Sequence, residues 1–137
     1  EIAKIIRESG YKITNEKGET KRVPGKFKAV KAIGVYLDQY KLTQVSINLT
    51  NYIITPIHTV FEEIKKEAAK RGVEVLGSEI VGLVPEEALV MAGKFYARTE
   101  NLSNRELVNL ACEKLGLSYL YPFEPDKKVI EYVLGLE

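Results

Sequence analysis

The side chains best suited to binding chemistry form a polar row on one predicted strand. In the stretch Thr43–His58, TQVSINLTNYIITPIH, apolar residues occupy every second position at the start. This alternation with a period of two predicts a half-buried β-strand. The polar face of that strand carries Ser46, Asn48 and Thr50. A row of short hydrogen-bonding side chains would suit a polar ligand with amide-like edges.

An ordinary sheet face open to water is the alternative interpretation of this row, because antiparallel sheets commonly have one solvated face. Asn48 favours a ligand, since Asn is depleted in strands and gains nothing there from packing. The functional interpretation therefore depends on what this face meets.

A second candidate lies in the stretch VEVLGSEIVGLVP, where Ser78 and Glu79 stand between two glycines of an otherwise apolar predicted strand. A charged side chain inside a buried strand needs a partner. A ligand contact near Ser78 is one interpretation. A salt bridge, or an exposed edge of the sheet, is the other.

Two further reactive side chains favour structural roles. His58 is the only histidine and lies in the first turn of a predicted helix, while Cys112 lies among apolar residues of another and is interpreted as a small hydrophobic side chain. One His and one Cys so differently placed do not form a nucleophile–base–orienter set. The sequence also has no zinc-ligand spacing, P-loop or dinucleotide fingerprint. We therefore predict no metal site and no assembled catalytic set, with a catalytic role of His58 as the less favoured alternative.

Composition narrows the class of protein. The 137 residues fit one domain, and 20 Lys and Arg against 19 Asp and Glu leave a net charge of +1. Such a balance gives no electrostatic reason to expect nucleic acid or a membrane as a partner. The single cysteine suits a reducing, cytoplasmic environment.

The elements that must position these residues follow from periodicity and capping signals. The first half is predicted to contain a helix at 2–8, a mobile connection at 10–25, a strand at 26–40 and the alternating strand at 43–50. The strand at 26–40 is apolar on both faces and is therefore predicted to be buried. The second half is predicted to contain a helix at 56–71, a third strand at 73–85, helices that start at Pro85 and at the capping box Ser103–Glu106, and a last short helix at 126–134.

This order predicts an α+β sandwich in which a mostly antiparallel sheet has helices on one face. The ferredoxin-like repeat β-α-β-β-α-β fits, with its first strand apparently missing. The chain also starts as if in the middle of a helix and without Met, so we expect an incomplete N-terminus.

Three stretches together resemble a known family: KAIGVYLDQYKLTQVSINLTNYIITPIHTVFEE, GVEVLGSEIVGLVPEEAL and LGLSYLYPFEPDKKVIEYV. They resemble the C-terminal subdomain of glutamate formimidoyltransferase, which is also part of the N-terminal half of formimidoyltransferase-cyclodeaminase. The resemblance covers nearly the whole chain after the connection. One departure is Asn51, where many members of the family carry Asp.

The resemblance implies a folate-dependent transferase of histidine breakdown, which moves a formimidoyl group from N-formimidoylglutamate to tetrahydrofolate. In that family two related α/β subdomains pack their sheets back to back, and folate lies in a tunnel between them. Residues 1–137 would be the C-terminal subdomain, in which Ser46, Asn48, Thr50 and Ser78 line the tunnel. The catalytic His belongs to the N-terminal subdomain, so this chain alone would be inactive.

The expected partners are therefore the N-terminal subdomain of the same enzyme, folate, N-formimidoylglutamate and further copies in a homo-oligomer such as a dimer. Two alternatives remain open. One is a non-catalytic folate-binding or regulatory module of the same fold, and the other is an interaction domain whose open sheet face pairs with another chain.

Overall fold

The fold is α+β, and the computed structural model describes all residues from 1 to 137. The elements, in chain order, are α1 Ile2–Ile6, β1 Tyr11–Thr14, β2 Thr20–Val23, β3 Val30–Leu37, β4 Leu42–Leu49, α2 Ile57–Lys70, α3 Glu86–Tyr96, α4 Asn104–Lys114, α5 Pro125–Lys128 and α6 Ile130–Val133. Strands β1 and β2 form one antiparallel pair, and β3 and β4 form another. None of the helices combines the length and the apolar character needed to cross a membrane.

The chain divides into two compact units. Unit 1 comprises Glu1–Thr55 and Glu62–Val73, and unit 2 comprises Pro56–Phe61 and Glu74–Glu137. Unit 1 contains 14 Lys and Arg against 8 Asp and Glu, a net charge of +6. Unit 2 contains 6 against 11, a net charge of −5. The net charge of the whole chain is therefore near zero because a basic unit and an acidic unit offset each other.

Unit 1 is organised around the hairpin of β3 and β4. Eight residue pairs join the strands, from Val30 opposite Leu49 to Leu37 opposite Leu42. Helix α1 packs against both strands, and its Ile6 is fully buried. At the start of β3, Val30 is buried as well, so this end of the hairpin supplies the core of the unit.

The prediction that β3 is buried on both faces is wrong for this chain. Ile33 and Tyr36 are each 58% exposed. Apolar residues of both parities predicted a covered strand. The hairpin is instead covered on one side only, and only near the start of β3. Ile33, on the uncovered side, and Tyr36, towards the far end of the covered side, therefore contact solvent.

The mobile connection predicted at 10–25 contains the hairpin of β1 and β2. Its strands pair from Tyr11 opposite Val23 to Thr14 opposite Thr20. The Asn15 side-chain oxygen accepts the backbone N–H groups of Lys17 and Glu19, which closes the turn. Most of these strand residues are exposed, so the stretch lacks the apolar alternation that identifies a strand.

Unit 2 is built on the contact between α3 and α4. The capping box predicted at Ser103–Glu106 is confirmed: the Ser103 hydroxyl accepts the Glu106 N–H, and the Glu106 carboxylate accepts the Ser103 N–H. That backbone hydrogen bond lowers the pKa of Glu106. The box satisfies N–H groups that have no partner within the helix and so defines where α4 begins.

The third predicted strand is not formed. Residues 74–81 adopt no regular element, and only Val84 makes an isolated parallel bridge, with Val129. A β-strand exists through pairing, and no strand of this chain pairs with the segment. Val81 is 86% exposed. The strands therefore pair two by two, without the single mostly antiparallel sheet of a ferredoxin-like fold. The last predicted helix is also divided, into α5 and α6.

Candidate functional site

The predicted polar row lies on the solvent side of the β3–β4 hairpin. Ser46 is opposite Ile33 and Asn48 is opposite Lys31. Residues directly opposite each other in an antiparallel pair project from the same side of the sheet. These four residues are all exposed and define what we call the outer face: Lys31, Ile33, Ser46 and Asn48. The outer face therefore combines a cation, an apolar side chain and two hydrogen-bonding groups.

Thr50 follows directly after the end of β4 and is also exposed. Its backbone N–H donates to the Ala29 carbonyl at 3.0 Å, which continues the pairing beyond the strand. The side chains of Ser46, Asn48 and Thr50 make no hydrogen bond within the chain, so their donors and acceptors are available to a ligand.

A tight turn follows the row. The Asn51 side-chain oxygen accepts the N–H of Ile53 at 3.0 Å and that of Ile54 at 3.3 Å. Thr55 anchors the end of the turn, because its hydroxyl donates to the Lys28 carbonyl at 2.6 Å. Ile53 is 62% exposed and Ile54 59%. The sequence did not single out these two isoleucines, because a turn does not show from its pattern which side chains face solvent.

The geometry of this turn is compatible with either Asn or Asp at position 51. Only the side-chain oxygen is used, and a carboxylate oxygen accepts the same two N–H groups. We expect Asn51→Asp to keep the free energy of unfolding near the wild-type value. Asn51→Ala removes both hydrogen bonds and is expected to lower it by about 1 kcal/mol. Urea denaturation measures both variants, and equal losses in the two would contradict this assignment.

Ser78 lies in unit 2, whereas the other three predicted site residues lie together in unit 1. Its hydroxyl donates to the Leu115 carbonyl, and its N–H donates to the Gly116 carbonyl at 3.1 Å. The neighbouring Glu79 accepts the Tyr121 hydroxyl at 2.9 Å. The partner expected for Glu79 is therefore present within unit 2. Ligand contacts by Ser46, Asn48, Thr50 and Ser78 stay predictions.

His58 and Cys112 both have packing roles. The His58 ring stacks on Phe95 with ring centroids 4.6 Å apart, and Phe95 meets Tyr96 edge to face at 4.9 Å. Burial raises the pKa of the Cys112 thiol to about 11. Since the thiolate is the nucleophilic form, this cysteine is unreactive near neutral pH.

Hairpin, outer face and turn together define an α+β domain with an open, hydrogen-bonding sheet face. The chain belongs to the formiminotransferase domain family, whose profile matches residues 1–135. The resemblance inferred from the three sequence stretches is thereby confirmed.

Similar proteins carry two related names. Formimidoyltransferase-cyclodeaminase of Dictyostelium discoideum is 46% identical over 136 residues, which are 97% of this chain and 24% of the relative. The protein of the same name from Sus scrofa is 43% identical over 93% of this chain and 25% of its own length. Glutamate formimidoyltransferase of Streptococcus pyogenes serotype M1 is 40% identical over 73% of this chain and 29% of its own length. The chain thus spans about a quarter of the curated relatives it matches.

Proposed function

We propose that this chain is the C-terminal, folate-binding subdomain of a glutamate formimidoyltransferase. The complete enzyme moves a formimidoyl group from N-formimidoylglutamate to tetrahydrofolate in histidine degradation. In this proposal tetrahydrofolate is a co-substrate, and the outer face with Thr50 is part of its binding surface. The catalytic histidine belongs to the N-terminal subdomain, so the part described here does not transfer the group alone.

The observation that carries the proposal is the family match over residues 1–135, and the open outer face supports it. A sheet that contacts a polar ligand needs side chains whose hydrogen-bonding groups are not already used within the protein. Ser46 and Asn48 supply such side chains. A pteridine offers amide-like donors and acceptors along its edge. An Asn side chain can match such an edge because it both donates and accepts.

The proposal extends to the assembly. The relatives are about four times as long as this chain, which is consistent with an N-terminal subdomain as partner. We propose that the complete protein closes a ferredoxin-like sheet around β3 and β4 and forms a homo-oligomer, such as a dimer, in the cytoplasm. The free edges of this two-stranded sheet support the proposal, since an exposed strand edge presents unpaired N–H and C=O groups with which a further strand can pair.

Asn48→Ala in the full-length protein tests the function directly. If Asn48 hydrogen-bonds the ligand, the substitution weakens tetrahydrofolate binding by about 1–3 kcal/mol, because a polar group of the bound ligand loses its partner. Isothermal titration calorimetry measures the dissociation constant. The folded structure is expected to be unaffected, as Asn48 is exposed and makes no hydrogen bond in the chain.

Thr43→Ala is the matched control. Thr43 is an exposed residue of the same strand, but its odd position places it on the opposite side of the sheet. Its substitution is expected to leave the dissociation constant unchanged. Equal affinity of wild type, Asn48→Ala and Thr43→Ala would remove Asn48 from the site. The non-catalytic module is distinguished in the same protein by folate binding without formimidoyl transfer.

A further inference from the structure

The outer face contains one charged residue, and the register of the hairpin places it beside the predicted ligand contacts. Lys31 is directly opposite Asn48. In such a pair the Cβ atoms are about 5 Å apart, which lies within the reach of a lysine side chain. An exposed ammonium group therefore stands next to an uncommitted amide on the same side of the sheet.

Lys31 has no carboxylate partner in the chain, in contrast to the lysines near Glu67. Lys26 and Lys70 both pair with the Glu67 carboxylate. The structure describes all residues from 1 to 137, and none of its ion pairs involves Lys31. Unit 1 also carries a net charge of +6. A surplus of positive charge raises the local concentration of anions, so the electrostatics of this unit favour an anionic ligand.

We propose that Lys31 is a further substrate-binding residue, whose ammonium group pairs with a glutamyl carboxylate of the ligand bound at Ser46 and Asn48. This inference rests on the proposed function, because both proposed substrates contain a glutamyl group. The ligand class follows from the face itself: the hydroxyl and the amide match polar edges, Ile33 packs against an apolar part, and Lys31 neutralises a carboxylate.

The ordinary role of a strand lysine is to keep a sheet edge from pairing with other chains. That role predicts a change in aggregation and no change in ligand affinity. A glutamyl carboxylate contact predicts a loss of affinity that depends on the carboxylate and on salt, since ion pairs at exposed sites weaken as ionic strength rises. The two roles are therefore separated by the chemistry of the ligand.

The test uses Lys31→Met in the full-length protein, which removes the charge and retains most of the side-chain volume. We expect the dissociation constant of tetrahydrofolate, or the KM of N-formimidoylglutamate, to rise roughly tenfold at low salt. A rise only for tetrahydrofolate assigns the carboxylate to the folate tail, and a rise only for N-formimidoylglutamate assigns it to that substrate. Lys31→Arg restores most of the affinity, because it restores the positive charge.

Two controls isolate the carboxylate. Tetrahydropteroate lacks the glutamyl group, so its affinity is expected to be equal in wild type and Lys31→Met if the folate tail is the partner. Lys21→Met removes an exposed cation from β2 of the same unit and is expected to change neither constant. If it lowers affinity as much as Lys31→Met does, a general effect of charge replaces the specific contact and the proposal is overturned.

Parallel measurement of Asn48→Ala separates failure of this inference from failure of the proposed function. If Asn48→Ala weakens binding while Lys31→Met leaves both substrates within twofold of wild type, the outer face binds the ligand but Lys31 does not. If neither substitution has an effect, the outer face is not the binding surface, so the proposed site and the role of Lys31 both fail while the family assignment stands.

Discussion

Replacement of Gly93 by Ala is expected to lower the free energy of unfolding by about 3 kcal/mol, at the upper end of the range for an overpacked core. Gly93 lies on α3 where that helix crosses α4. An added Cβ would lie 2.2 Å from the Leu107 carbonyl oxygen and 2.7 Å from its carbonyl carbon. Both are backbone atoms, so no side-chain rotation relieves the clash, and the helices must separate.

Separation of α3 from α4 also disturbs the buried residues that join them. Leu89 and Val108 are fully buried in this unit. Gly34→Ala is the matched control, because the space around Gly34 is open and a Cβ there meets no atom within 4 Å. It is expected to change the free energy of unfolding by no more than about 0.5 kcal/mol. Urea denaturation followed by circular dichroism measures both, and a loss below about 1 kcal/mol for Gly93→Ala would contradict the close crossing.

Replacement of Glu67 by Gln is expected to cause a large loss of stability at neutral pH. Glu67 is 4% exposed, and its carboxylate accepts hydrogen bonds from Arg71 at 2.8 Å, Lys70 at 3.2 Å and Lys26 at 3.3 Å. Arg71 first, and then Lys70 and Lys26, lower its pKa from 4.5 to about 2. Because Lys26 precedes β3 and the other three residues lie on or just after α2, removal of the charge loosens two parts of unit 1.

The direction of the pKa shift of Glu67 determines how the stability difference between the two proteins changes with pH. A folded-state pKa below the ordinary value stabilises the protein at pH values above 4.5, and this contribution is lost as the pH falls from 4.5 towards 2. The difference in the free energy of unfolding between wild type and Glu67→Gln is therefore expected to have its full value at pH 7 and to decrease as the pH falls from 4.5 towards 2. Glu16→Gln, at an exposed position of the β1–β2 turn, serves as the control. A difference that is independent of pH would contradict the ion-pair cluster.

The sequence predicted best those elements that carry their own local signals. The capping box, a motif only four residues long from Ser103 to Glu106, specifies where α4 starts. The alternation along β4 identifies the solvent-facing side of that strand. Both signals arise from groups close together in the chain. Helix α2 was likewise predicted within one residue at each end.

The errors concern features that depend on distant partners. Residues 74–81 have the composition of a strand, but pairing requires another strand, and composition does not report whether one is available. For β3, apolar residues on both faces predicted burial, although coverage of Ile33 depends on what packs against the sheet. The β1–β2 hairpin was missed for the opposite reason, because its pairing is local but its strands bury little.

The candidate site was predicted in part for the same reasons. Strand periodicity placed Ser46 and Asn48 on one face without knowledge of the neighbouring strand. Lys31 was not singled out, because its position beside Asn48 depends on the register between β3 and β4. Ser78 has its hydroxyl committed to Leu115, a contact 37 residues along the chain that no local pattern reveals.

The unpaired segment at 74–81 has a consequence for how this domain behaves during synthesis and purification. The segment contains Val and Ile side chains and lies outside both sheets, and such a stretch can template intermolecular cross-β aggregation. Glu74 and Glu79 interrupt the apolar run and act as gatekeepers against stacking, since like charges repel in register. A soluble preparation of the domain is therefore expected to depend on these two carboxylates.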